Sequence, residues 1–370
     1  MKGLYKIYPP LDVLGKINLP PLLEIDNLAI SFNNGAKPAV RGVCLQMEPG
    51  EIVGLVGESG SGKSLSALSL MGLLPPAARL DSGEIRFQGR DLNELSPGER
   101  RRLCGRHLGM VFQEPLTALN PVLTIGEQVA EIYRLRAGHS RSQARREAVE
   151  MLARVGLPNP AEAARSYPHR FSGGMRQRVV MAMALALSPE ILLADEPTTA
   201  LDPTIAAQIL ALLARLTADH NSAVLFITHN LRLLTGLAGR ALVMYTGLVV
   251  EQAAVPEIFT HPAHPYTQGL LKALPPALSE PAPERLTAIG GAPPVPGQWP
   301  PGCPFEPRCP QAFGPCRHSL PPLFDLGGGH LARCFLHGGK RIETVPGRSA
   351  PAEPELGGKR PHSGHGGGRC

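Results

Sequence analysis

Eight consecutive residues, Gly57-Glu58-Ser59-Gly60-Ser61-Gly62-Lys63-Ser64, fit the spacing G-x-x-x-x-G-K-[ST]. Glycines so placed let the backbone curl until successive N–H groups point inward at a polyphosphate, and a helix starting there adds its positive dipole end. Lys63 is then expected to reach the β- and γ-phosphates of a nucleotide, and Ser64 to ligate Mg²⁺. A plain Gly/Ser-rich turn would match the four fixed positions in on the order of one chain in a hundred, given glycine at about 7%. A second group fits the same chemistry. Ile191-Leu192-Leu193-Ala194-Asp195-Glu196 is an apolar run ending in two carboxylates, where open α/β sheets bind ligands. Asp195 is expected to hold Mg²⁺ through its shell, and Glu196 to polarise an attacking water. His229 ends another apolar run, Val224–Thr228, and is expected to contact the γ-phosphate. Gln113 follows Met110–Phe112 and is a candidate for Mg²⁺ or the water.

These residues need a scaffold that brings several strand ends to one edge. Leu23–Phe32 and Val43–Met47 read as strands, the latter with Val43, Leu45 and Met47 on one face. Glu51–Val56 is a strand before the glycines, and a helix runs from there to Leu74, where Pro75-Pro76 stops it. Ile85–Phe87 and Met110–Phe112 are further strand candidates. Thr124–Val155 carries Ile125, Val129, Ile132, Ala148, Met151, Leu152 and Val155 at helical spacing. A helix over Gly173–Leu187, a strand over Ile191–Ala194, a helix over Thr204–Ala218 and a strand over Ala223–Thr228 complete an alternation that predicts an α/β domain with a largely parallel sheet.

The chain has 370 residues, 43% of them hydrophobic and 18% charged, which excludes a wholly disordered chain. Its longest apolar run, Val179–Leu187, has nine residues, about half of a bilayer-crossing helix. The first 25 residues lack an apolar signal core. The net charge of +6 is mild and spread out, so Arg100–Arg102 and Arg145–Arg146 read as solvated faces and no nucleic-acid partner is expected. Seven cysteines are too few for a disulfide scaffold. Glycine and proline divide the chain: 35 of the 80 fall in the last 95 residues, which cannot sustain long helices or central strands.

Ser172-Gly173-Gly174-Met175-Arg176-Gln177-Arg178 places a second phosphate cradle at a helix start. Two cradles per chain make sense if one serves the chain's own nucleotide and the other a neighbour's. This order of motifs, with Ala200-Leu201-Asp202 following Glu196, resembles the ATP-binding subunits of ABC transporters, from about Leu22 to His337. Within them Phe112–Pro121, Asp195–Asp202 (DEPTTALD) and His264-Pro265-Tyr266-Thr267 are similar to the peptide importers of the oligopeptide, dipeptide and nickel branches. Met175, Asn230 and Gly239 depart mildly from the family pattern without removing a catalytic group.

The resemblance implies a P-loop ABC nucleotide-binding domain of α/β class over 22–275, followed by a small irregular cysteine-containing module over 276–340. Residues 1–21 form an unassigned extension, and 341–370 a tail expected to be disordered. It implies ATP with Mg²⁺ held by Ser64, Gln113 and Asp195, and Phe32 stacked on adenine. Gly57 to Ser64 bind the phosphates, and Ser172, Gly173 and Gly174 complete the site of a second ABC subunit. The chain is then an ATPase subunit at the cytoplasmic face of the membrane, joined to permease subunits and, through them, to an external solute-binding protein. Import of nickel or another small solute is the alternative within the branch. A soluble ABC protein is the rival from another class, but such ribosome-acting proteins usually join two nucleotide domains, and this chain has one set of motifs. A DNA-repair ATPase would need a long heptad insertion, and none is visible. A nonenzymatic partner would have lost Glu196 or His229.

Cys303, Cys309, Cys316 and Cys334 fall within 32 residues as C-x5-C-x6-C-x17-C. That spacing lacks the C-x2-C pairs of common zinc sites and matches neither ferredoxin pattern. A segment so rich in proline builds little core, so a metal centre would supply stabilisation, and Pro304 and Pro310 would hold the chain turning around it. The family resemblance implies a [4Fe–4S] cluster on these four residues; zinc and four plain thiols remain the alternatives.

Overall fold

The computed structural model describes residues 20–32, 37–113, 118–199, 201–274, 288–338 and 340–341. Most of the extension 1–21, Glu114–Thr117 of the glutamine segment, Ala200, the expected boundary at 275/276 and the tail from 342 lie outside the described residues.

Strands β1 (Leu23–Phe32) and β2 (Lys37–Met47) lead into β3 (Ile52–Val56), the phosphate-loop residues and helix α1 (Lys63–Met71). Then come β4 (Ala78–Phe87), β5 (Arg90–Asp91), α2 (Pro97–Arg106), β6 (Leu108–Val111), α3 (Ile125–Ala137) and α4 (Arg141–Arg154). Helix α5 (Gly173–Leu185), β7 (Ile191–Asp195), α6 (Pro203–Ala218), β8 (Ala223–Thr228), β9 (Arg240–Tyr245) and β10 (Leu248–Ala254) follow. Helices α7 (Val255–Thr260), α8 (Pro265–Lys272) and α9 (Gly314–His318) and the two-residue strands β11 (Phe324–Asp325), β12 (Leu331–Ala332) and β13 (Lys340–Arg341) close the order.

The principal sheet runs β13-β11-β12-β10-β9-β3-β8-β7-β6. Its half from β9 to β6 is parallel, as expected, and the rest is antiparallel. Central strands alternate between two cores. Leu192 and Ala194 of β7 and Val224 and Phe226 of β8 face the helices α3 to α6. Ile191, Leu193, Leu225 and Ile227 face α1 and a separate antiparallel sheet, β2-β1-β4-β5. Burial on both faces makes these strands continuous apolar runs.

The structure differs from the sequence reading in four places. α1 ends at Met71, because Gly72 takes a left-handed cap (φ 67°) that bonds back to Leu68 and Ser69 carbonyls. The periodic stretch 124–155 is two helices, broken at Gly138 (φ 74°). β6 stops at Val111, leaving Phe112 exposed. The expected strands Leu23–Phe32, Val43–Met47 and Ile85–Phe87 are present, the last two within longer strands, but they form a separate antiparallel sheet with β5. Among the described residues after 288 the elements are short, α9, β11, β12 and β13, and the strands extend the edge of the principal sheet.

Candidate active site

β3, β7 and β8 are parallel neighbours, so their C-terminal ends open on one edge. After β3 the chain turns through Gly57 to Gly62 into α1. A Cβ on Gly57 would lie 2.1 Å from the Met244 carbonyl oxygen, so only glycine lets the loop pack this closely on β9. Gly62 has φ 100° and is the N-cap of α1, with no side-chain cap. The first-turn N–H groups are therefore without a capping side chain, which suits an anion. Lys63 is buried inside the curl, where Nζ donates to the Gly57 and Glu58 carbonyls at 2.8 and 2.9 Å and to Ser61 Oγ at 3.4 Å. Burial pushes its pKa down, opposed by the charges of Glu196, Asp195 and Glu58.

Ser64 Oγ donates to Asp195 Oδ1 at 3.1 Å. Burial raises the Asp195 pKa, and the Ser64 hydrogen bond opposes the rise. A hydroxyl and a carboxylate meeting at the mouth of an anion cradle form an oxygen donor set that fits Mg²⁺. Glu196 follows at a left-handed φ of 46°, which turns its side chain out of the strand alternation. Its Oε2 accepts from Thr199 Oγ1 at 2.9 Å and Gln113 Nε2 at 3.2 Å, and lies 3.1 Å from His229 Nδ1. The carboxylate is 10% exposed and the imidazole 54%, so the cluster meets solvent on the histidine side. Glu196, His229 and Gln113 thus meet at one oxygen, as their places at strand ends led us to expect. Thr199 was missed, although a hydroxyl three residues past an acidic turn residue is a usable signal.

Ser172 is the N-cap of α5, accepting from the Met175 N–H at 3.3 Å. Ser172 and Gly173 are exposed, and a Cβ on Gly174 would come within 2.6 Å of Ile205 in α6. Among the described residues no hydrogen bond joins this cradle to the phosphate loop. Phe32, the last residue of β1, is half-buried.

Residues 40–199 match the family model for ABC transporters, and residues 250–316 the model for the oligopeptide/dipeptide transporter C-terminal region. The chain is 45% identical over 319 residues to the oligopeptide transport ATP-binding protein AppD of Bacillus subtilis, covering 85% of this chain and 97% of that protein. It is also 45% identical over 317 residues to the dipeptide transport ATP-binding protein DppD of Escherichia coli, covering 85% and 96%. The chain belongs to the ATP-binding subunits of peptide-importer-type ABC transporters. Among solved structures, the dimeric post-hydrolysis state of the ATP-binding cassette MJ0796 with ADP and Pi aligns with a TM-score of 0.56 at 30% identity. It covers 63% of this chain and 98% of that one. The subunit is an ABC ATPase with the cassette fold, and the phosphate loop, Asp195 and Glu196 all lie in the matched region.

The C-terminal cysteines come together. Cys303, Cys309, Cys316 and Cys334 line one hollow with His264 and Phe305. All four are free thiols, and burial pushes Cys303 and Cys334 up to about 11. The expected metal centre is not supported: among the described residues no three His, Cys, Asp or Glu side chains converge as ligands of a metal ion.

Tyr266, noted in the sequence only as part of a motif, also reaches the site. Its hydroxyl accepts the Glu58 N–H at 2.8 Å. His264 beside it caps α8, accepting the Tyr266 N–H at 3.0 Å, and full burial lowers its pKa to about 3, leaving a neutral ring.

Proposed function

We propose that this subunit hydrolyses ATP to energise uptake of oligopeptides or dipeptides through a separate permease. The observation that carries the reading is the hydrogen bond from Ser64, at the uncapped start of α1, to Asp195 at the end of β7, where Glu196 follows. The match over residues 250–316 supports the substrate class.

Phosphoryl transfer to water is mostly positioning and charge stabilisation. The loop N–H groups from Gly60 to Ser64 hold the β- and γ-phosphates. Lys63 exchanges its bonds to Gly57 and Glu58 carbonyls for phosphate oxygens. Ser64, Asp195 and Gln113 would hold Mg²⁺, whose charge offsets that of the phosphates. Glu196 takes a proton from the attacking water onto its carboxylate, while Thr199 and Gln113 fix its orientation and His229 binds the γ-phosphate. Phe32 stacks on adenine.

Ser172, Gly173 and Gly174 complete the nucleotide site of a second ABC subunit, a reading supported by their exposure at the start of α5. ATP closes two subunits together and hydrolysis reopens them, moving the permease between outward- and inward-facing states. An external solute-binding protein delivers the peptide. Among the described residues no helix is long and apolar enough to cross a membrane, in keeping with a peripheral place at the cytoplasmic face.

A [4Fe–4S] cluster on Cys303, Cys309, Cys316 and Cys334 belongs to this proposal. What supports the reading is that the four thiols line one hollow. The cluster would stabilise a module poor in core, and its assembly must first deprotonate Cys303, Cys309 and Cys334, whose pKa values burial raises.

The test is to tag the chain, isolate it from membranes and identify what copurifies. A peptide-type permease, with ATP turnover stimulated by peptide and its binding protein, is the expected result. Copurification with a permease whose turnover answers to nickel and not to peptide overturns the substrate class.

A further inference from the structure

Glu58 puts a carboxylate into a loop that gathers N–H groups for an anion, and the structure shows how that charge is occupied. Arg308 of the C-terminal module takes both its oxygens, Nη1 to Oε2 at 2.7 Å and Nη2 to Oε1 at 3.0 Å. The Arg308 side chain is 5% exposed and that of Glu58 27%. Arg308 is itself fixed, with Nε donating to the Gly290 carbonyl at 2.9 Å and Nη1 reaching the Tyr245 hydroxyl at 3.3 Å. Its guanidinium lies over the rings of Tyr245 and Phe305, 5.8 and 6.0 Å from their centroids.

The pairing matters because of Lys63. Lys63 Nζ donates to the Glu58 carbonyl at 2.9 Å, and the Glu58 charge opposes the burial that lowers the Lys63 pKa. A free carboxylate here would compete with a polyphosphate for Lys63 and repel it. A two-pronged Arg–carboxylate pair is both strong and directional, and an arginine this buried is poorly screened by salt.

We infer that Arg308 is a positioning residue for ATP: it occupies the Glu58 carboxylate and so keeps Lys63 and the phosphate loop available to a polyphosphate. The C-terminal module thereby conditions the ATPase from 250 positions away in sequence. The inference rests on the proposed role of the loop as the ATP site.

The experiment compares Arg308→Met with the double variant Arg308→Met/Glu58→Gln in the assembled transporter, measuring KM for ATP, kcat and Tm. Freeing the carboxylate is expected to raise KM about tenfold while kcat changes less than about threefold, the pattern of lost ground-state binding. Removing the freed charge in the double variant is expected to recover most of that affinity. A packing role alone would lower Tm and leave KM unmoved, which overturns the inference. A double variant binding as weakly as the single one also overturns it. If Arg308→Met does not assemble, Arg308→Lys keeps the charge but loses the fork, and a wild-type KM there removes the two-pronged pair from its role. Unimpaired ATP binding by Lys63→Ala would instead sink the loop reading itself, separately from the Arg308 result.

Discussion

Replacing Glu196 with glutamine alters one oxygen's basicity in a site whose other contacts survive. The Glu196 Oε2 is bonded to Thr199 and Gln113 and lies beside His229, at 2.9, 3.2 and 3.1 Å. A glutamine carbonyl in its place accepts from the same donors. The left-handed backbone at residue 196 (φ 46°) costs both side chains alike. Stability is therefore expected to change by less than about 0.5 kcal/mol. What disappears is the proton acceptor, and general-base catalysis contributes about 10²–10⁴ in rate. At about 1.36 kcal/mol per tenfold, that is roughly 3–5 kcal/mol of barrier. The assay is phosphate release by the assembled transporter at saturating Mg-ATP, with ATP binding to the isolated subunit measured in parallel. The variant should bind ATP within about threefold of wild type and turn over at least about 100-fold more slowly. Turnover within about tenfold of wild type, in a fully assembled complex, would refute the assignment of Glu196 as base.

Ser172→Arg should leave ATP binding by its own subunit intact while blocking hydrolysis at the site it completes on a partner. Mixed dimers with one altered subunit separate the two effects, and loss of binding by the isolated, folded variant would argue against the arrangement. Gly57→Ala drives a methyl into the Met244 carbonyl, so melting should reveal an overpacking cost of about 1–3 kcal/mol and calorimetry a loss of ATP affinity. Protein purified without oxygen should contain iron and sulfide with the broad absorbance of a cluster, and Cys309→Ser with Cys316→Ser should remove them. Metal-free protein that still folds and hydrolyses ATP with its permease would eliminate the cluster.

The parts of the fold legible in the sequence are those where local pattern and burial agree. β3, β7 and β8 are buried on both faces and read as short apolar runs, and Asp195 and Glu196 stand where such a run must end. Ser172 announces its helix because a serine N-cap satisfies an otherwise unpaired N–H. Of the second sheet three strands were legible in whole or in part, and their separate pairing was not. No residue of β4 before Ile85 is fully buried, so hydrophobicity marks only its last three residues. β1 shifts register around Asn27, a left-handed residue, which breaks its alternation. The break at Gly138 was masked because each side is periodic by itself, although the two apolar faces are about a third of a turn out of phase. Of the site, the strand-end carboxylates and the loop were evident, but the Arg308–Glu58 pair was not, since 250 positions separate its members and no local pattern records a tertiary ion pair.

The central claim is that ATP hydrolysis by this subunit moves peptide across a membrane. It is tested most directly by movement of a labelled tripeptide out of proteoliposomes holding the copurified complex, with the ATP-binding face outward and ATP supplied there. Peptide and its binding protein are enclosed, so transport appears as loss of label from the lumen. ATP-dependent transport is expected from the wild-type complex, and none beyond background with Glu196→Gln. Transport that persists undiminished in the Glu196→Gln complex, or ATP turnover by wild type with no movement of peptide, would contradict the claim.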